Sequence, residues 1–163
     1  MKRLTPYLIV LLFVLLIVTL FLSFGKVQAI VSIKEGNVKQ LPLEIQLNMY
    51  KDSDCGVIID DKTYLGEVVS ADGKTWFFYD NGGLVHWLED KPFKNSAVIW
   101  VMSRDSEKWI DARKAYYSTD EPTPSGYGFG AYEKKQKGLI SFKNMSYRVL
   151  HKETLKDKRN LGN

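Results

Sequence analysis

The sequence predicts an α+β fold: two related ββα modules with mostly antiparallel strands, preceded by an N-terminal hydrophobic helix. Three observations carry this expectation. Asp72-Gly73 stands between two strand-like runs, 64–69 and 75–79, and glycine there supplies the positive φ that a tight hairpin turn needs. A looser version of the same order returns later, so that 75–88 and 127–139 read as a duplicated ββα unit. Residues 8–24 are apolar except for Thr19 and Ser23.

The apolar run would make a helix of roughly 26 Å, slightly under the ~30 Å hydrocarbon core of a bilayer. It is also longer than the usual signal-peptide core of ~7–15 residues. Lys2 and Arg3 precede it, and Val27-Gln28-Ala29 carries small residues where a signal peptidase reads. Residues 1–29 are therefore either a cleaved signal peptide or a retained membrane anchor through 4–25. Both place the rest of the chain outside the cytoplasm, in the periplasm or on the outer face of the cytoplasmic membrane.

The chain has 23 Lys and Arg against 19 Asp and Glu. Removing Lys2, Arg3 and Lys26 leaves 20 against 19, so the exported part is close to neutral. Without a concentrated basic patch, a nucleic-acid partner is not expected. Cys55 is the only cysteine, so an internal disulfide is impossible. It reads either as a small buried hydrophobe or as a soft metal ligand or redox thiol.

Along the chain, 30–40 is polar and reads as a linker. Residues 41–49 alternate apolar and polar at Leu41, Leu43, Ile45, Leu47 and Met49, a strand pattern with Pro42 at its start. After the hairpin, Asp80 or Asn81 can cap a short helix with Leu84, Val85, Trp87 and Leu88 on its apolar face. The second unit offers strands at 97–102, 109–112 and 115–118, and a looser one at 126–132. Pro122 and Pro124 make 119–125 the expected most exposed long loop. Asn144 is the expected cap of a final helix with Met145, Val149, Leu150 and Leu155 facing inward. The domain would then span 41–155, with a first module near 45–90, a second near 95–155 and a polar tail at 156–163.

No phosphate-cradling loop, nucleophile elbow or His-Glu-x-x-His helix is present, and no spacing supports a Cys-His hydrolase from Cys55 with His86 or His151. An enzyme is not expected. The soft donors Cys55, Met49, Met145 and His86 favour Cu(I) over hard cations.

Four stretches stand out: Asp54-Cys55-Gly56-Val57-Ile58-Ile59-Asp60, Gly73-Lys74-Thr75-Trp76-Phe77-Phe78-Tyr79-Asp80-Asn81-Gly82-Gly83, Trp109-Ile110-Asp111-Ala112-Arg113, and Thr123-Pro124-Ser125-Gly126-Tyr127-Gly128-Phe129-Gly130. Together, and in this order, they resemble motifs of the NosL family. The resemblance covers roughly 45–150. It implies an exported Cu(I)-binding accessory protein of nitrous oxide reductase maturation, with Cys55 as the ligand that carries over. The family's Cys-x-Met is Cys55-Gly56-Val57 here, and Ser125 stands where the second motif has methionine. With those methionines gone, either copper affinity is reduced, or Met145, Met49 or His86 completes the site beside Cys55 in a pocket between the modules, or copper has been left behind. The other reading is a membrane-tethered interaction module of the same fold that has lost its metal.

Overall fold

The computed structural model describes residues 4–24 and 30–161. Lys2, Arg3 and the Val27-Gln28-Ala29 motif lie outside the described residues, as does the end of the tail. Helix α1 (Thr5–Phe24) has every large apolar side chain described on it exposed. Those side chains run from Pro6 to Leu22, and among the described residues no helix is long and apolar enough to cross a membrane.

The hairpin at the centre of the fold forms as its sequence dictates. Strand β2 (Gly66–Val69) pairs antiparallel with β3 (Thr75–Phe78), from Gly66 opposite Phe78 to Val69 opposite Thr75. Gly73 has φ +82°, and its N–H donates to the Ser70 carbonyl at 2.9 Å. A methyl group at Gly73 would also meet the Asn37 backbone at 2.9 Å, so the turn needs glycine for space as well as for φ. Asp80 then caps α2 (Asn81–Glu89) by accepting from the Gly82 N–H.

Five antiparallel strands make the main sheet, in the order β1-β3-β2-β4-β5, with β1 (Ile33–Lys34), β4 (Val98–Met102) and β5 (Trp109–Asp111) around the hairpin. A second sheet has the order β7-β6-β8, from β6 (Tyr116–Tyr117), β7 (Ala131–Tyr132) and β8 (Ile140–Ser141). Helix α3 (Phe142–Leu150) follows at once and packs on α2. The α+β class with antiparallel strands is what the sequence predicts; that the strands form two sheets is what the structure adds. The module boundary near 90–95 is not observed, because β4 pairs with β2 and β5 extends the same sheet. One core runs from Val68 and Phe78 through Leu84 and Ile99 to Phe129 and Met145, spanning both sheets.

Other expectations are corrected. Residues 41–46 form no strand: the Leu43 N–H donates to the Glu67 side chain rather than to a ladder, and Asn48 takes φ +64°. Of the alternating apolar positions only Ile45 is buried, in a second core beside Tyr50, Ile59, Leu65 and Phe77, while Leu41 and Leu47 are exposed. Residues 30–40 are not a linker. Ile33 and Lys34 pair with β3, and Asn37 bonds Leu41 and the Thr75 hydroxyl. Only Ala131 and Tyr132 of 126–132 are strand, since Gly126 and Gly128 both hold positive φ. Ser141 rather than Asn144 caps α3. Leu155 belongs to α4 (Leu155–Leu161), so most of the expected tail is helical. The loop 119–125 is pinned, with Thr123 buried, and 133–138 is the exposed connection.

Glu67 lies at the middle of the main sheet, fully buried. One carboxyl oxygen accepts from Leu43 and the other has no partner. Burial pushes its carboxyl up to about 8, partly offset by the Leu43 bond. A buried acid with a raised pKa holds its proton in the folded state and loses it in the unfolded one. Its contribution to stability is therefore complete below pH 4.5 and is lost as pH rises towards about 8. Urea denaturation should show stability falling with pH across that window, at up to ~1.4 kcal/mol per unit. Glu67→Gln should flatten the slope, and an unchanged slope would remove Glu67 as its source.

Candidate functional site

Cys55 stands on a loop that one carboxylate organises. Asp52 is buried; its Oδ1 accepts from the N–H groups of Asp54 (2.7 Å) and Cys55 (2.8 Å), and its Oδ2 from that of Tyr79 (2.6 Å). The Ser53 N–H donates to the Phe77 carbonyl, so the loop is tied to β3 by backbone as well. Gly56, at φ +80°, turns the chain back, and the Asp52 N–H meets the Val57 carbonyl at 2.8 Å. Cys55 is left exposed at the tip.

A second carboxylate brings the other motif to it. Asp80 is fully buried and accepts from Gly82 at the start of α2, from the Ser125 N–H at 3.0 Å and from the Thr123 side chain. Burial raises its carboxyl while these donors pull it back down. Asn81 donates to the Phe129 carbonyl, adding a second tie between α2 and the glycine-rich segment. The ring of Tyr127 lies so close to Gly82 that a methyl group there would sit 2.2 Å from it. Burial and the surrounding carboxylates, Asp54 first among them, push the Tyr127 phenol well above its ordinary range.

These ties place the Ser125 Oγ 3.9 Å from the Cys55 Sγ, across 70 residues of sequence. On the other side, the Asp54 Oδ1 accepts from the His86 Nδ1–H at 2.9 Å. The His86 side chain is 64% exposed and that of Asp54 only 16%. A carboxylate acceptor fixes the neutral ring as its Nδ1–H tautomer, which leaves the lone pair of Nε2 outward and free. Cys55 also lines an open groove walled by Ile33, Lys51, Trp76 and Trp87.

Of the four candidate ligands, the structure groups two. His86 is held by Asp54, the residue before Cys55 on the same loop. Met145 does not belong there: it is 1% exposed in the main core, where α3 turns Met145 and Val149 inward. Met49 packs against the second core rather than serving as an open donor. His151 stacks on Tyr147 and donates to its carbonyl, a local helix-end contact. Among the described residues, no three His, Cys, Asp or Glu side chains converge as a metal cage. Sequence reading missed Asp52 and Asp54, although Asp-x-Asp before a glycine is the pattern by which Asp side chains fold a loop onto their own backbone.

No protein-family model matches the chain, and no curated protein matches it significantly.

Asp52→Ala should lower stability by about 3 kcal/mol, since three backbone N–H groups lose a charged acceptor at once. In the native parent, a chromogenic disulfide reagent should titrate Cys55 at the rate of the unfolded chain. Slow reaction that denaturant accelerates would show the thiol to be covered.

Proposed function

We propose that the chain is an exported accessory protein that binds Cu(I) through the Cys55 thiolate and the His86 Nε2, and hands it to a copper enzyme or its assembly machinery. The observation that carries this reading is the Asp54–His86 pair beside Cys55. It holds an imidazole in the tautomer a metal requires, and a carboxylate behind a histidine is the usual outer partner of a metal ligand. Thiolate and imidazole together suit Cu(I), which accepts two-coordinate binding, whereas hard cations find no oxygen cage.

The approach of Ser125 to Cys55 supports the same reading from another direction. The two segments that resemble NosL motifs meet at the atoms where that family places its soft donors. The resemblance in turn suggests nitrous oxide reductase as the client. Ser125 and Val57 supply no sulfur, so the proposed site has two donors where the family has more, and binding is weaker. The N-terminal apolar segment would carry the domain out of the cytoplasm and, if retained, hold it at the membrane.

The burial of Met145 and the packing of Met49 favour a second reading, a membrane-tethered interaction module of this fold without metal. Anaerobic Cu(I) titration of the purified chain against a chromophoric chelator separates the two. One equivalent should bind, and His86→Ala and Cys55→Ser should each weaken it. Ser125→Met, which restores a thioether beside Cys55, should tighten binding. Equal binding by the parent and Cys55→Ser would overturn the copper reading in favour of the interaction module.

A further inference from the structure

A cavity of about 210 Å³ lies against the C-terminal half of α2, at Val85, Leu88 and Glu89. Its apolar lining comes from three elements: Val85 and Leu88 of α2, Ile99 of β4, and Phe142 at the first turn of α3. Its polar lining is Arg113, Asn95, Ser146 and the Glu89–Lys94 pair, which is closed at 2.7 Å. With that pair neutralised, Arg113 is the charge left over.

Arg113 donates through Nη1 to the Ala97 carbonyl at 2.8 Å and through Nη2 to the Lys94 carbonyl at 2.9 Å. These bonds fix the guanidinium without neutralising it, and no carboxylate pairs with it among the described residues. A guanidinium has five N–H groups in a fixed fork, so three remain for a planar anion. The α3 N-terminus adds partial positive charge at Phe142. The Ser146 Oγ is buried without a partner, so a hydrogen-bonding group is available in the wall itself.

We propose that this cavity is a binding site for a small monocarboxylate with an apolar chain, its carboxylate on Arg113 and its chain against Leu88, Ile99 and Phe142. An apolar floor with one uncompensated, preoriented cation at the rim fits an anionic amphiphile better than a neutral or cationic one. The volume is below the usual range for drug-sized ligands and limits the chain to a few carbons. The site lies apart from Cys55, shares no lining residue with its groove, and does not depend on copper.

The test is calorimetric titration of the full chain in detergent with hexanoate and, in parallel, hexanol. Hexanoate should bind in the roughly millimolar range expected for so few atoms, and hexanol about tenfold more weakly. Arg113→Met should remove this preference, so that hexanoate binds no more tightly than hexanol. Arg113 also ties residues 94 and 97, so a second variant, Ser146→Leu, fills the cavity from α3 without touching the guanidinium and should abolish binding of both. Cys55→Ser should bind hexanoate as the parent does. Equal affinity for acid and alcohol, no binding of hexanoate at 20-fold above the millimolar range, or unchanged hexanoate binding in Ser146→Leu would each overturn the proposal.

Discussion

A carboxylate taken out of water must have its oxygens met by donors, and Asp80 meets that demand with groups from two distant parts of the chain. Gly82 answers from the first turn of α2, and Ser125 and Thr123 answer from the loop beyond β6. The same side chain therefore caps a helix and fixes where the second motif lies. Tyr127 and Gly82 then fit only because glycine leaves room for the ring. Asp52 does the equivalent work for the first motif, gathering three N–H groups from its own loop and from Tyr79 at the end of β3. Asp52 and Asp80 flank the point where β3 gives way to α2. The Cys55 surface is thus built on that junction, and its geometry is only as firm as those two carboxylates.

Local chemistry made some of this legible in the sequence and long-range chemistry hid the rest. Asp72-Gly73 between β-prone runs announces the hairpin because the turn needs nothing beyond its own four residues. Asp80 ahead of an apolar helical face announces α2 for the same reason. The alternation over 41–49 misleads because only Ile45 of its apolar positions is buried while Leu41 and Leu47 stay exposed, and the hydrogen-bond partner that holds the backbone at Leu43 is the Glu67 side chain. No pattern within 41–49 contains that information. The expected second ββα copy is not there: 127–139 holds only the short strand β7 and no helix follows it before α3. The sheet also cuts across the expected modules, since β2 binds β3 on one edge and β4 on the other.

The candidate site shows the same division. Cys55 is identifiable as a lone soft donor, and His86 as one of only two histidines. That His86 belongs with Cys55 depends on Asp54 turning towards α2, which loop geometry decides. Met145 looked equivalent as a donor, but its position on α3 beside Val149 sends it to the core. A thioether is apolar enough to serve as packing, so composition alone cannot separate a ligand methionine from a structural one. Burial separates them.

The strand order has a consequence for how the chain assembles as it emerges from its N-terminus. Ile33 and Lys34 come first, yet their partners Trp76 and Thr75 follow some forty residues later. Until β3 exists, this first strand has no sheet to join. The hairpin can close by itself over a short turn, and it then serves as the template onto which β1 docks from behind and β4 from ahead. The Cys55 loop settles once Tyr79 is in place, but the Ser125 side arrives only after the chain has extended seventy residues past the thiol. Loop closure over that distance carries the larger entropy cost. The thiol therefore spends the earlier part of assembly without its neighbour, and the surface around it is among the last parts of the domain to take shape.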